Sequence, residues 1–588
     1  MYCWTPSTVL FTLCLASGTS ARFLGPLDPA PTDISSPESA VRVQWDNMTT
    51  TLRAHFKGTA VSDGLSVLDN CTFSVGLFSV HDPEASNIQY HHTSSDIQNS
   101  TLGVNKVDGN SIYRVASMTK LITVYSGLLL LNPSDWYKPL TDIFPEIDKL
   151  PEDDPIHHVQ WETITPMSLA LQISGIPRDA RPFDVGEVST SLYENNIDPT
   201  TIGLPALTLN STGINVPCQS ANCSAVQYLR GIQSPTFPVF QTPGYADTNF
   251  ILLGRVISKL TGLPNNEQWF QKAVFGPLGM TASSSISPTV SPYPGYVVSG
   301  DPDAFSFQGG ITSSSGGVFS TTNDVAKLGT SILNGTLLAS NSTRQWMKLS
   351  AFTEHMEFSV GMAWEIYRYT DQSTGWVIDI YTKLGDSGVY ANYLVLIPDY
   401  NFGLSILLAN PAASHSEAIH LVADILSETL IPALRDQAAA ETRKNYAGTY
   451  ASTSSSSKNT SSSITLAYNT TLSPSFGLTL TSFINDGYDV LNNLLLPLLG
   501  NKQIVLQPSL IDPKTRQRGF VLTTVPVPTV YTGLFSKQFA VNAEWLVNNG
   551  DTYGGQAFKN FYFDIAADGS VLAAEPAVLR GKKFKKVA

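Results

Sequence analysis

The order of apolar and polar positions predicts strands and helices through the first three quarters of the chain. Residues 73–80 alternate with the period of two that is typical of a strand, and residues 111–116 are predicted to be extended. Apolar residues then recur with helical spacing over 117–131, and again over 249–261 and 415–437. This mixture indicates a domain that contains both helices and a sheet.

Three later segments have strand-like composition: 376–381, 389–397 and 402–409. Two turn-forming sequences separate them, Gly385-Asp386-Ser387-Gly388 and Pro398-Asp399-Tyr400-Asn401. We therefore expect adjacent strands here, and a sheet that is built from both ends of one domain.

The pattern changes after residue 445, where short alternating segments replace helical spacing. The predicted strands are 463–468, 476–482, 503–507 and 518–524. A Ser/Thr tract from Ser452 to Ser463 interrupts the first hairpin, and its composition predicts a disordered, glycosylated loop. This part is interpreted as a separate β-rich domain with a sandwich or barrel-like architecture.

A chain of 588 residues is too long to fold around one ordinary hydrophobic core, so two or more domains are expected. The pattern places a first domain at 22–440 and the β-rich domain at 441–588. Residues 1–21 contain a short apolar core followed by small residues, which is typical of a signal peptide, although the usual positive start is missing. The run is well below the ~20 apolar residues of a membrane span, and no later run is long enough, so no membrane span is expected.

Sequence motifs for N-glycosylation support the prediction of secretion. The acceptor sequences begin at Asn47, Asn70, Asn99, Asn210, Asn222, Asn334, Asn341, Asn459 and Asn469. Three cysteines remain after the signal peptide. Cys218 and Cys223 could close a small disulfide loop in an oxidising compartment, which leaves Cys71 buried or blocked. The expectation is a secreted glycoprotein with one disulfide bond.

Charge and motif composition argue against several kinds of partner. The net charge of −13 argues against nucleic acid, whose phosphates require a basic face. The one basic run, Lys582 to Lys586, is interpreted as a solvated tail. The sequence contains no histidine or cysteine pattern with metal-ligand spacing and no phosphate-binding glycine-rich loop, so neither a metal nor another cofactor is predicted.

Candidate chemistry begins where a predicted strand leads into a helix, at Ser117-Met118-Thr119-Lys120. A serine at a helix start directs its own backbone N–H into the site, where it can help to hold an oxyanion. Lys120 lies one helical turn later and can reach the Ser117 hydroxyl. That hydroxyl becomes a good nucleophile only when a base removes its proton. The same four residues are also compatible with an ordinary helix cap followed by a surface lysine.

Two further motifs follow in the chain, Tyr245-Ala246-Asp247 and Lys383-Leu384-Gly385-Asp386. In this order, the three motifs resemble the Ser-x-x-Lys, Tyr-x-Asn and Lys-Thr-Gly pattern of the serine β-lactamase and penicillin-binding-protein superfamily. The resemblance is strongest to the class C β-lactamase and esterase branch. It spans about residues 60–415 and includes the supporting stretches 164–177, 275–280 and 316–324.

The resemblance implies an α/β (α+β) serine β-lactamase/transpeptidase-like domain. Such a domain has a central antiparallel sheet flanked by helices and an all-helical subdomain, and here a small all-β C-terminal domain would follow. Ser117 would form an acyl-enzyme, and Lys120 and Tyr245 would share the acid–base work. Lys383 would favour the ionised form of Tyr245. The backbone N–H groups of Ser117 and Asp386, beside Gly385, would form the oxyanion hole.

Two positions depart from the family pattern. Asp247 stands where the family usually has asparagine, and a carboxylate cannot donate a hydrogen bond to a substrate. An ionised Asp247 near Lys120 would favour the charged lysine and shift proton transfer to Tyr245; alternatively, Asp247 is protonated or points at Lys383. Leu384 replaces a threonine that receives the substrate carboxylate in β-lactam-processing relatives. Both departures favour an uncharged ester or amide over a β-lactam.

The leading hypothesis is a secreted serine hydrolase that acts on a small molecule or a peptide. Acyl transfer in secondary-metabolite biosynthesis, true β-lactamase activity and D-peptidase activity are alternatives that share the acyl-enzyme. A non-catalytic binding protein with the same fold is an alternative from a different class. The presence of Ser117, Lys120, Tyr245 and Lys383 together favours catalysis.

Overall fold

The computed structural model describes most of the chain. The described residues are 25–59, 63–149, 154–178, 199–204, 234–306, 310–412, 415–453, 461–470, 476–499, 503–512, 514–524 and 551–587. The predicted signal peptide, the cysteines of the predicted disulfide and three of the candidate glycosylation sites lie outside these ranges: Cys218, Cys223, Asn210, Asn222 and Asn459.

The chain forms two compact units. The first comprises Ala30–Arg368 and Asp379–Ala438. The second comprises the described residues of Met1–Pro29, Tyr369–Ile378 and Ala439–Ala588.

An eight-stranded sheet and a pair of short strands account for the first ten strands. In chain order these are β1 Thr72–Ser79, β2 Gln89–His92, β3 Tyr113–Arg114, β4 Phe319–Ser320, β5 Leu349–Phe352, β6 Phe358–Gly361, β7 Glu365–Thr370, β8 Val377–Ser387, β9 Tyr390–Ile397 and β10 Phe402–Ala409. The sheet order is β2-β1-β10-β9-β8-β7-β6-β5, and β1, β10, β9 and β8 pair antiparallel in that order. The sheet is thus built from both ends of the first unit.

Five long helices are described: α1 Ala40–Phe56, α2 Thr119–Leu130, α3 Asp247–Thr261, α4 Thr322–Asn334 and α5 His415–Tyr446. Shorter helices are Ser95–Gln98, Leu140–Ile143, Pro166–Ala170, Asn266–Phe270, Gly276–Leu278, Pro302–Ser306, Ser313–Gly316, Ser340–Trp346 and Leu496–Leu498. Between β3 and β4 the described residues form helices, turns and loops. No helix among the residues described here is both long and apolar enough to span a membrane.

The core of the first unit explains why α2 is apolar on nearly every side. Leu121, Ile122 and Tyr125 of α2 belong to the same buried cluster as Phe250 and Leu253 of α3. A helix whose whole circumference is apolar is stable only when other elements surround it. The Ser117 motif therefore lies at the end of a rigid, buried helix.

One predicted turn is wrong. Strand β8 continues through Gly385 and Asp386 to Ser387, and its last residue pairs with Tyr390 of β9. The strands are joined by Gly388 and Val389 alone, with Gly388 in the left-handed region at φ +63°. Residues 385–388 have the composition of a turn. Gly385 is nevertheless a strand residue, and glycine is needed there because the strand closely contacts the Ser117 turn.

The second unit is a barrel-like all-β domain, as the fold prediction expected. Its strands are β11 Gly448–Thr453, β12 Ser461–Asn469, β13 Gly477–Asn485, β14 Tyr488–Asp489, β15 Ile504–Asp512, β16 Gln517–Thr524, β17 Thr552–Tyr553, β18 Gln556–Ala557, β19 Asn560–Ile565, β20 Val571–Pro576 and β21 Phe584–Lys586. The order β12-β11-β21-β20-β19-β16-β15-β13 closes through a β12–β13 pairing. Aromatic residues such as Tyr450, Phe520 and Phe563 fill its interior.

The prediction of a solvated basic tail is wrong. Phe584–Lys586 is strand β21, which pairs with both β11 and β20. Lys582 Nζ lies 2.9 Å from Asp486 Oδ1, and Lys583 Nζ lies 2.5 Å from Asp564 Oδ2. These two lysines directly precede β21, so the basic run is held by strand pairing and by ion pairs. Residues 452–453 and 461–463 of the predicted loop belong instead to β11 and β12.

Candidate active site

The turn before α2 carries Ser117 in a strained backbone. Ala116 has φ +45°, which is uncommon for a residue with a side chain. The short 3₁₀ segment Ala116–Met118 leads directly into α2. The turn is held by the Val115 N–H, which donates to Val318 O at 2.9 Å, and by the Met118 N–H, which donates to Val115 O at 3.1 Å. Such strain is found where the surrounding structure fixes a functional group.

Gly385 allows strand β8 to approach this turn closely. A Cβ atom at Gly385 would lie 2.1 Å from the carbonyl oxygen of Val115 and 2.9 Å from the nitrogen of Met118. Both are backbone atoms, which cannot rotate away as a side chain can. Glycine at this position therefore sets the distance between β8 and Ser117.

Lys120 is completely buried beneath Ser117. Its Nζ donates to Ser117 Oγ at 2.8 Å, to Asp247 Oδ1 at 2.5 Å and to the carbonyl oxygen of Ser315 at 3.1 Å. An ammonium group has three N–H donors and no acceptor, and these three contacts match it. The geometry is that of a charged lysine.

Asp247 is the first residue of α3 and accepts hydrogen bonds from Lys120 and from Ser315 Oγ. Burial acts to raise the pKa of Asp247, but Lys120, Ser315 and Arg178 together hold it below its usual range. The sequence left three arrangements open for Asp247. In the structure its carboxylate is ionised and bonded to Lys120. The nearby Asn249 is buried, and its Oδ1 accepts a hydrogen bond from Ser174.

Tyr245 completes the contacts of the Ser117 hydroxyl. The Tyr245 hydroxyl donates to Ser117 Oγ at 2.7 Å. Lys120 Nζ and Lys383 Nζ lie 4.9 and 5.3 Å from the ring centroid. Burial raises the pKa of Tyr245 to about 12, with Asp247 and Glu365 acting in the same direction and Lys383 opposing them. At neutral pH the phenol is therefore protonated, in spite of the positive charge that Lys383 supplies.

Glu365 is a member of the site that the sequence did not suggest. Lys383 Nζ donates to Glu365 Oε1 at 2.5 Å and to Leu384 O at 2.7 Å. The other carboxylate oxygen, Glu365 Oε2, accepts the Leu384 N–H at 2.7 Å. Glu365 begins β7 and belongs to no recognisable motif. Strand pairing brings it to Lys383, so a search for local patterns could not find it.

The remaining residues of the third motif lie along the edge of β8. The Asp386 carboxylate is turned toward α5, where it accepts from His415 Nε2 at 2.9 Å and from Ser416 Oγ. Backbone N–H groups alternate between the two edges of a strand. The Asp386 N–H thus points to the same edge as the Leu384 N–H, which bonds to Glu365.

Arg178 is the second site residue that sequence reasoning missed. Its guanidinium carbon lies 5.6 Å from the Tyr245 ring centroid, and its backbone oxygen accepts the Thr248 N–H at 3.3 Å. The side chain is exposed and contributes to the lowered pKa of Asp247. An arginine in a loop of irregular structure has no sequence feature that would distinguish it.

Of the other predicted site residues, only those that the structure describes can be placed. Among the described glycosylation candidates, Asn47, Asn70, Asn99, Asn334 and Asn341 are exposed and Asn469 is half-buried. Cys71 is a buried free thiol. No group of three or more potential metal ligands occurs within the described ranges.

The sheet, the helical layer and a serine on the turn before α2 together define the β-lactamase/transpeptidase-like fold, followed by a barrel-like all-β domain. The profile of the Beta-lactamase family matches residues 88–427, more than half of the 588 residues. A second profile, described as Beta-lactamase-like-like, C-terminal domain, matches residues 438–587. The chain belongs to the β-lactamase family.

Individual relatives are distant. A "Beta-lactamase-like protein" of Arthroderma benhamiae is 24% identical over 80% of this chain and 76% of its own length. A "Probable hydrolase M10" of a Phoma species is 26% identical over 68% of this chain and 64% of its own length. A solved D-stereospecific amidohydrolase from Streptomyces aligns with a TM-score of 0.44 at 17% identity, over 63% of this chain and 97% of its own.

Proposed function

We propose that the protein is a secreted serine hydrolase that forms an acyl-enzyme on Ser117 and cleaves an ester or amide of a small molecule or peptide. The observation that carries the proposal is the position of one hydroxyl between two proton-carrying groups. Lys120 Nζ and the Tyr245 hydroxyl lie 2.8 and 2.7 Å from Ser117 Oγ. The names of the Arthroderma and Phoma relatives agree with a β-lactamase-like hydrolase.

In the proposed reaction, Ser117 Oγ attacks the substrate carbonyl carbon and loses its proton to Tyr245. Asp247 favours the ammonium form of Lys120, so Lys120 serves as a fixed positive charge that stabilises the Tyr245 phenolate and the Ser117 oxygen as it loses its proton. Only the ionised fraction of Tyr245 can accept the proton, because its neutral hydroxyl is a donor to Ser117. The rate of acylation is therefore expected to rise with pH.

The backbone N–H groups of Ser117 and Asp386 are proposed to hold the oxyanion of the tetrahedral adduct. Tyr245 then gives the proton that it took from Ser117 to the leaving group, which departs as an alcohol or amine. Water then takes the place of the leaving group and gives a proton to Tyr245 as it attacks the acyl carbon. Tyr245 returns that proton to Ser117 Oγ as the acid product leaves. Each turnover thus consumes one water and restores every protonation state.

Hydrolysis of p-nitrophenyl butyrate tests this proposal. The wild type is expected to release nitrophenol, and Ser117→Ala is expected to lose at least about a thousandfold in kcat/KM, since the nucleophilic hydroxyl is removed. Equal turnover by Ser117→Ala would overturn the proposal. A fluorophosphonate probe that labels both variants equally would do the same.

Secretion and processing are tested in a eukaryotic secretory host. We expect a product in the medium that begins near Arg22, loses mass on glycan removal, and gives a non-reduced peptide linking Cys218 to Cys223. Retention of residues 1–21 in the purified protein would contradict this part of the proposal.

A further inference from the structure

We infer that Glu365 makes the site selective for substrates without a negative charge beside the scissile carbonyl, because it neutralises Lys383. The inference rests on the proposed function and names the substrate class of the same site. Glu365 is not part of the motif that contains Lys383. It reaches Lys383 because strands β7 and β8 are neighbours in the sheet.

The Lys383–Glu365 pair is enclosed within the protein. The side chain of Lys383 is 1% exposed and that of Glu365 is 14% exposed, with 2.5 Å between Nζ and Oε1. Both carboxylate oxygens are in use, since Oε2 accepts the Leu384 N–H. A charged pair held this closely has little net field for an arriving anion. Lys383 is thus a positioned ammonium whose charge is already compensated.

The second buried ammonium of the site is compensated in the same way. Lys120 is paired with Asp247 at 2.5 Å, and its three donors are directed at protein acceptors. Leu384, at the position of the family's threonine, offers no hydroxyl to a carboxylate. An anionic substrate group that approached Lys383 would also be repelled by the carboxylate of Glu365. Two carboxylates therefore balance the two lysines, and the exposed Arg178 is the third cation near the Tyr245 ring within the described ranges.

Two esters that differ in one charge test the inference: p-nitrophenyl butyrate and mono-p-nitrophenyl succinate. The wild type is expected to prefer the butyrate by at least about tenfold in kcat/KM. In Glu365→Gln the amide cannot serve both Lys383 and the Leu384 N–H, so turnover of the butyrate is expected to fall. The ratio of succinate to butyrate turnover is nevertheless expected to rise about tenfold, because one negative charge near the site is gone.

A matched control separates this effect from a change in overall charge. Glu354 has a side chain that is 83% exposed, and Glu354→Gln removes the same charge from the surface. It is expected to leave the ratio unchanged. If Glu365→Gln lowers turnover of both esters equally, Glu365 has only a structural role and the inference is overturned. An equal response in Glu354→Gln would also overturn it.

A second measurement needs no variant, in case Glu365→Gln does not fold. Boronic acids bind active-site serines, and butylboronic acid can be compared with 3-carboxypropylboronic acid as inhibitors of the wild type. We expect the neutral compound to bind at least about tenfold more tightly. Equal or tighter binding of the anionic compound would overturn the inference while leaving the proposed function intact. Loss of the proposed function would instead appear as full turnover in Ser117→Ala.

Discussion

At the scale of single residues, Asp247 controls the protonation of the groups around Ser117. It favours the ammonium form of Lys120, and it helps to raise the pKa of Tyr245 to about 12. Asp247→Asn removes this anion, so the phenol should ionise at lower pH. We expect the pH at which kcat/KM for p-nitrophenyl butyrate rises to move down by about one pH unit, with a higher rate at pH 7.

Asp142→Asn is the matched control for this pH profile, because Asp142 is an exposed acid in the same unit. Its rate should rise with pH over the same range as that of the wild type. A rise that stays at the wild-type pH in Asp247→Asn, or moves to higher pH, would contradict the role assigned to Asp247.

At the scale of elements, contact between β8 and the Ser117 turn depends on a single missing side chain. Gly385→Ala would place a Cβ 2.1 Å from the carbonyl oxygen of Val115. The strand must then shift away from the turn, which moves the Asp386 N–H relative to Ser117. We expect kcat/KM to fall by at least about a hundredfold, as small misplacements in a catalytic site do.

Gly244→Ala is the control for this substitution. Gly244 precedes Tyr245, yet a Cβ there would meet no atom within 4 Å. Its activity and melting temperature should remain near those of the wild type. Wild-type activity in Gly385→Ala would show that close packing of β8 on the turn is not required.

The elements also show which parts of the site a sequence can predict. Ser117 and Lys120 are one helical turn apart, so local geometry alone predicts their contact. Tyr245 and Lys383 were predicted only from the order of three family motifs. Glu365 was missed because strand pairing, across 18 residues of sequence, is what brings it to Lys383. The turn at 385–388 was mispredicted because glycine serves turns and close packing equally well.

The same distinction applies to larger features. Alternating residues predicted a separate β-rich domain, and the closed barrel confirms its barrel-like character. The barrel also needs β11 to pair with β21, more than a hundred residues later. That pairing turned a supposed basic tail into a strand, which no local pattern of lysines could indicate.

At the scale of the whole molecule, a buried carboxyl group in the second unit should make stability depend on pH. Burial raises the pKa of Asp28 to about 6, against opposing hydrogen bonds from Tyr468 and Thr442. Because folding raises the pKa of this carboxyl, its protonated form stabilises the folded state. The contribution is complete below the ordinary pKa of 3.8 and is lost as the pH rises through about 6. Up to about 3 kcal/mol of stability is lost between these limits.

Asp28→Asn should remove this dependence, since an amide stays neutral and can still accept from Tyr468. Calorimetry is expected to show a higher melting temperature than the wild type at pH 7 and little difference at pH 4. Asp399 in the first unit, whose pKa burial also raises to about 6, remains as a background of the same sign in both proteins. A larger gain at pH 4 than at pH 7 would contradict this assignment.

The most direct test of the account is to trap the acyl-enzyme and locate it. Wild-type protein is mixed briefly with p-nitrophenyl butyrate, quenched in acid, and analysed by intact and peptide mass spectrometry. We predict one added butyryl group per chain on the peptide that contains Ser117, and none in Ser117→Ala. Full turnover with no adduct on that peptide, or an adduct on another residue, would contradict the claim that Ser117 is the nucleophile.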